Sequence, residues 1–191
     1  MIKIPQTQYP VNKDIVNRWS PRAFSDARIS EDQLMTLLEA ALWAPSSMNE
    51  QPWRYVYAHR GTPEFETMHD CLLDGNKPWT LQASVLILCL AEKAFERNGS
   101  PNRHAFHDVG MANANLFAQA ISMGIYGHML GGYDFEKTDK VFNLTGSREA
   151  VCFLALGFLG DVNKLDEPFK TRELTPRSRK PLEAIATPFS L

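Results

Sequence analysis

The chain has 191 residues, 44% of them hydrophobic and 22% charged, with a formal net charge of −2, which supports one well-buried core and predicts a single domain over residues 1–191. A near-neutral balance without a block of like charge removes the electrostatic case for a nucleic acid or a membrane surface. The opening stretch 1–6 lacks the apolar core of a signal peptide, and the longest strongly apolar run, 85–91, is too short to span a bilayer, which points to the cytoplasm.

Residues 12–19 predict a short helix with Ile15, Val16 and Trp19 inward, stopped by Pro21. Arg18, Ser20 and Arg22 leave it on an extended stretch, where alternate side chains share a face. Two guanidiniums flanking a hydroxyl suit a phosphate or another oxyanion, although the same residues also make an ordinary solvated helix end. Ser30 and Gln33 form a capping-box pattern before Leu34, Leu37, Leu38, Ala41 and Leu42 at helical spacing.

That helix delivers the stretch Ala44-Pro45-Ser46-Ser47-Met48-Asn49-Glu50-Gln51-Pro52-Trp53. Ala44 and Gln51 each precede a proline and are steered away from the helical region, so the turn between them is stiff. Its hydroxyls and amides both donate and accept, which suits an organic cofactor better than a metal, while serine, asparagine and proline are also what plain connecting loops contain. A strand follows over 54–59, then a helix opened by Thr62-Pro63 with Phe65, Met68 and Leu72 on one face and its end near Gly75, then Asn76, Lys77 and Trp79 in a loop. The apolar run 83–91 predicts a strand buried on both faces, hence a sheet with helices on each side.

Residues 92–106 break this pattern and are longer than an ordinary connection, which makes them a lid candidate carrying Phe95, His104 and Phe106. His104 and His107 have a metal-compatible spacing, but only Asp108 stands near them, and Asp108 also suits the cap of the following helix; no metal is assigned. Residues 109–123 read as a helix with apolar residues on more than one side, as a core or subunit-interface helix requires. Gly124, Gly127, Gly131 and Gly132 then allow close approach of a ligand, without any GxGxxG fingerprint for a dinucleotide. A short helix over 134–142 and a buried strand over 151–159 precede a polar tail, 160–191, that needs a surface to pack on and carries Arg177, Arg179 and Lys180. Cys71, Cys89 and Cys152 fit no paired metal spacing and are assigned no chemistry.

Six of these stretches in order resemble the nitroreductase family of flavin enzymes. They are Arg18-Trp19-Ser20-Pro21-Arg22-Ala23-Phe24, the turn from Ala44 to Trp53, Gly75-Asn76-Lys77-Pro78-Trp79, His107-Asp108-Val109-Gly110, Gly131-Gly132-Tyr133-Asp134, and Arg177-Ser178-Arg179-Lys180-Pro181-Leu182. The resemblance implies an α+β, three-layer sandwich with a mixed, mostly antiparallel sheet flanked by helices. Two chains would interlock as a homodimer, with FMN at the interface and the tail packed on the partner.

By the same resemblance, Arg18, Ser20, Arg177 and Arg179 would hold the phosphate and ribityl end, with Trp19 in the same cofactor-binding segment. Arg22 and Asn76 would lie near the pyrimidine edge of the flavin, and Gly131 and Gly132 would approach its reactive edge through backbone groups. Pro45, Ser46, Ser47 and Asn49 would reach the flavin from the partner chain. The chain departs from well-known members in carrying Gly131 where they have a glutamate and Trp79 near the position of a lysine. The implied function is transfer of electrons from NADH or NADPH to nitroaromatics, quinones or similar electron-poor acceptors. With no separate nicotinamide domain, donor and acceptor would share one pocket in a ping-pong mechanism. The alternatives are a specialised enzyme of the same fold, such as a reductive dehalogenase or a metabolite oxidase, and a non-catalytic flavin-binding or storage protein.

Overall fold

The structure, a computed structural model, describes residue 3 and residues 5–189. Part of the opening stretch (residues 1, 2 and 4) and the last two residues of the tail lie outside the described residues. Local capping sets the starts of several helices. The Gln33 N–H donates to Ser30 Oγ at 3.2 Å and the Ser30 N–H to Gln33 Oε1 at 3.0 Å, opening α2 (Glu31–Leu42). Thr62 Oγ1 accepts the Phe65 N–H at 3.2 Å with Pro63 first in α3 (Pro63–Asp70), and Asp134 Oδ1 accepts the Lys137 N–H at 2.9 Å to open α6 (Phe135–Val141).

Four strands, β1 (Trp53–His59), β2 (Val85–Glu92), β3 (Tyr126–Leu130) and β4 (Arg148–Gly157), form one sheet in the order β1-β2-β4-β3, with every pairing antiparallel. Strand alternation divides β2 between two cores. Val85, Ile87, Cys89 and Ala91 pack with Leu34 and Leu37 of α2 and Leu116 of α5 (Ala105–Ser122). Leu86, Leu88 and Leu90 pack with Phe65 and Met68 of α3, Trp79 and Tyr133. The sheet therefore has a helical layer on each face, as the apolar run 83–91 predicts. Among the described residues no helix is long and apolar enough to cross a membrane.

Cys89 and Cys152 are partners across β2 and β4, with the Asn113 amide of α5 beside them. The Cys89 thiol donates to Asn113 Oδ1 at 3.5 Å, Asn113 Nδ2 donates to Cys152 Sγ at 3.7 Å, and the Tyr55 hydroxyl donates to Asn113 Oδ1 at 3.0 Å. Burial pushes the Cys89 thiol and the Tyr55 phenol up, so both stay protonated and serve as donors that satisfy a buried amide. All three cysteines are free and buried.

Several boundaries differ from the sequence reading. The first helix, α1, spans only Lys13–Asn17; Val16 is half-buried and Trp19 buried, but Ile15 is 61% exposed, because so short a helix seats only one side. The loop expected at Asn76-Lys77-Trp79 contains a helical turn, α4 (Lys77–Thr80), closed by Thr80 Oγ1 donating to Asn76 O at 2.8 Å, while α3 ends at Asp70 rather than near Gly75. The glycine-rich stretch holds strand β3, which glycine content had hidden. A Cβ at Gly127 would collide with the Phe117 ring, so this glycine serves sheet-to-helix packing and not a ligand. Helix α5 begins at Ala105, absorbing the end of the proposed lid. The rest of that segment is a tight hairpin, bridged at Ala94 and Pro101, with the Phe95 N–H donating to Ser100 O at 2.8 Å.

The tail contains α7 (Phe169–Leu174) and returns to its own chain. Arg177 Nη1 donates to Val16 O at 2.5 Å and Lys3 O at 2.9 Å, and the Glu173 carboxylate accepts the backbone N–H groups of Arg22 and Ala23. Beyond it, Leu182, Ile185 and Phe189 are 44%, 70% and 87% exposed, leaving the far tail without an apolar seat on this chain.

Candidate functional site

Two ends of the chain build a basic centre. Helix α1 ends at Asn17, Arg18 is already extended ahead of Pro21, and its guanidinium donates to Ser20 Oγ at 3.3 Å. The tail's return places Arg177 and Arg179 close enough for their charges, after burial itself, to depress the Arg18 pKa. Burial and Arg179 depress Arg177 in the same way. Among the described residues none of these three guanidiniums pairs with a carboxylate. Like charges held together without a counter-ion mark a place for a multiply charged anion, and the planar forks are suited to phosphate oxygens. Arg18 and Ser20 also wall a groove of about 480 Å³, together with Asp14 and with the apolar Ile15, Phe117, Ala118 and Met129. Trp19 is turned away from it, buried edge-on to Tyr126 at 6.3 Å between ring centres, and lines a separate cavity of about 100 Å³.

The turn after α2 gathers three of the four non-glycine residues with left-handed φ among the described residues. Met48, Asn49 and Gln51 all have left-handed φ values, 56°, 55° and 51°, in a segment with no glycine. Internal bonds hold it: the Gln51 N–H donates to Ser46 Oγ at 3.0 Å, and the Asn49 and Glu50 N–H groups donate to the Ser46 and Ser47 carbonyls, each at 3.0 Å. The Ser47 N–H donates outward, to Asp108 Oδ2 of α5 at 2.9 Å. Asp108 therefore stands inside the first turn of α5 and is not its cap, and its other oxygen takes His107 Nδ1 at 3.1 Å. The Ser47 hydroxyl and the Asn49 side-chain amide have no hydrogen-bond partner among the described residues, and Pro45 is exposed beside them. Sequence reasoning assigned Asp108 to capping; three residues with left-handed backbone leave no sequence signal when none is glycine.

A third group lies at Gly132. Asn76 Nδ2 and the Leu73 N–H donate to Gly132 O at 2.9 Å and 3.1 Å, and a Cβ at Gly132 would stand 2.8 Å from Asn76 Nδ2, so a side chain there would have to displace the Asn76 amide. Gly131 has open space around it. The Arg22 guanidinium lies over the Trp79 ring, 5.7 Å from its centre, beside a polar cavity of about 280 Å³. Burial lowers the Arg22 pKa, partly offset by Glu173. His128, which the sequence reading passed over, packs its ring 4.6 Å from that of Trp79.

Of the expected pocket-wall residues, Phe106 is 43% exposed on the first turn of α5, one turn before Gly110 of the groove, and His104 is exposed just ahead of it. Phe95 sits in the hairpin under Arg97, 5.5 Å from ring centre to guanidinium carbon. The hairpin is tied to the strained turn, since the Glu96 N–H donates to Glu50 Oε1 at 2.6 Å and the Glu92 N–H to Pro52 O at 2.8 Å. Among the described residues no three His, Cys, Asp or Glu side chains cluster as metal ligands.

Comparison with known proteins identifies the family of the chain. A crystal structure of an oxidoreductase containing FMN superposes with a TM-score of 0.90 at 32% identity, covering 95% of this chain and 93% of its own. An Archaeoglobus fulgidus protein, named provisionally as an NADH dehydrogenase/NAD(P)H nitroreductase, is 30% identical over 149 residues, 78% of this chain and 83% of its own length. The major NAD(P)H-flavin oxidoreductase of Aliivibrio fischeri is 27% identical over 94 residues, 47% of this chain and 43% of its own. The family model described as the nitroreductase family matches residues 15–67 and 63–158, which take in the first arginine of the basic centre, the strained turn, the Gly132 closure and the whole sheet. The chain belongs to the nitroreductase family.

Proposed function

We propose that this protein is an FMN-dependent oxidoreductase that uses NADH or NADPH to reduce electron-poor acceptors such as nitroaromatics and quinones. The observation that carries the reading is the convergence of Arg18, Arg177 and Arg179 without a carboxylate, which fits the phosphate dianion of FMN in charge and donor geometry. When bound, FMN supplies the redox chemistry, accepting two electrons from the nicotinamide and passing them to the acceptor. Around it, the residues of this chain bind and orient. Arg18, Ser20, Arg177 and Arg179 hold the phosphate end, and Arg22 and Asn76 attend the pyrimidine edge. The strained turn offers the unpartnered Ser47 hydroxyl and Asn49 amide.

The active unit in this reading is a homodimer in which the turn of one chain completes the site of the other. Helix α5 exposes Phe106, Gly110 and Ala114 at helical spacing beside the exposed Ile15 and Met129, an apolar stripe of small and large residues that a second copy would cover. The exposed far tail supplies a further apolar contact for the partner. Three buried free thiols fit a reducing, cytoplasmic setting. In this reading donor and acceptor occupy one open side of the site in turn, with Phe106 in its wall.

The test is direct. The purified protein is expected to bind about one FMN per chain and to oxidise NADH or NADPH only when an acceptor such as a quinone is supplied, with parallel double-reciprocal plots. Arg18→Ala is expected to weaken FMN binding by on the order of 2–5 kcal/mol, since the anion loses a partly desolvated partner. No flavin uptake by the wild-type chain overturns the reading; flavin uptake without turnover on any donor favours a storage or sensing role.

A further inference from the structure

Arg22 is a long side chain beside a polar cavity, and among the described residues it forms no ion pair. Free rotation would blur its charge over several positions. Its backbone, by contrast, is held from two sides. The N–H donates to both Glu173 oxygens at 3.0 Å, and the carbonyl of the preceding Pro21 accepts from His128 Nδ1 at 3.0 Å. Since a carbonyl only accepts, Nδ1 carries the proton of a neutral imidazole, and burial lowers the His128 pKa accordingly.

One side chain links this anchored backbone to the other end of the proposed flavin edge. Trp79 is 2% exposed, with the His128 ring 4.6 Å and the Phe24 ring 6.4 Å from its own. Its indole N–H donates to Gly75 O at 3.3 Å, in the loop where the next residue, Asn76, donates to Gly132 O at 2.9 Å. The Arg22 guanidinium carbon lies 5.7 Å from the indole centre, within the range in which a ring face attracts a cation. The same indole is thus tied by its N–H to the loop of Asn76 and by its ring to the head of Arg22.

We propose that Trp79, braced by His128, is a positioning residue that fixes the Arg22 guanidinium in register with Asn76 and thereby raises the affinity of the site for reduced over oxidised FMN. The inference rests on the FMN reading above and adds a determinant of electron affinity to it. Reduced flavin gathers negative charge at its pyrimidine edge, and a cation already held in place stabilises that charge without reorganising first.

The experiment titrates FMN and measures its midpoint potential in the wild type, Trp79→Phe, Trp79→Leu, Arg22→Gln and the Trp79→Leu/Arg22→Gln double variant. Trp79→Leu is expected to lower the preference for reduced FMN about tenfold, which for a two-electron couple is about 30 mV toward the negative. Trp79→Phe keeps a ring face and restores most of the difference, and the double variant shifts no further than Arg22→Gln alone. An unchanged potential in Trp79→Leu, or a shift of full size in the Arg22→Gln background, overturns the proposal. Because Trp79 is buried, Arg22→Lys provides a second route if Trp79→Leu does not fold: an ammonium lacks the planar face that rests on the ring, so its potential is expected to fall toward that of Arg22→Gln, and a wild-type potential overturns the proposal. Failure of the wild type to take up FMN would instead sink the parent reading, before any variant is compared.

Discussion

Asp108 Oδ2 accepts the Ser47 N–H at 2.9 Å, so a buried carboxylate in the first turn of the central helix anchors a turn 61 residues away in the chain. The turn needs this anchor, since three of its residues hold left-handed backbone without glycine. An anion also sits well near a helix N-terminus, which lowers the cost of burying it.

Asp108→Ala is therefore expected to destabilise the protein by about 1–3 kcal/mol, the range for leaving a buried donor without its acceptor. It should also weaken FMN binding, because the turn loses its outward tie. Asp108→Asn keeps one acceptor oxygen and is expected to lose less of both. Urea unfolding and flavin titration of the two variants check this; equal losses would show that charge, not the accepted hydrogen bond, is what matters.

Met48 provides a separate test of backbone strain, because it is 67% exposed and a packing argument predicts no effect there. Its φ of 56° is poorly tolerated by a side chain branched at Cβ. Met48→Val is expected to cost about 1–2 kcal/mol. Met48→Gly should fall within about 0.5 kcal/mol of wild type, as relief of the left-handed strain offsets the added freedom of the unfolded chain. A harmless Met48→Val in chemical denaturation would show that the turn relaxes to another backbone form.

How legible this was in the sequence depends on what each element rests on. The α2 and α3 starts and the two-sided burial of β2 were readable because capping patterns and a continuous apolar run are local. Strand β3 was not, because Gly127 looks like a ligand approach until the Phe117 ring is seen against it. From its residues alone the basic centre reads as two separate groups, since the return of the tail onto Val16 and Lys3 is a long-range contact; only the family resemblance joined Arg18 to Arg177 and Arg179. Asp108 and His128 were missed as supports for the same reason: their partners, the Ser47 N–H and the Pro21 carbonyl, are backbone groups that carry no sequence signature.

His128 also makes the fold sensitive to mild acid. Burial, opposed by the bond to Pro21 O and reinforced by the charges of Arg22 and Arg18, lowers its pKa from 6.5 to about 4. Between those values the unfolded chain binds the proton and the folded chain does not, so stability rises with pH across the window. The contribution is fully present above about pH 6.5 and is lost as pH falls toward 4, amounting to up to about 3 kcal/mol. In His128→Gln, where no ring titrates, this slope should vanish, while stability at pH 7 falls by the weaker bond to Pro21 and the lost packing on Trp79. Urea midpoints of both proteins between pH 7 and pH 4.5 give the comparison, which removes the carboxylates they share. Parallel curves would mean that the imidazole accepts a proton in place, and that the contact with Pro21 survives its protonation.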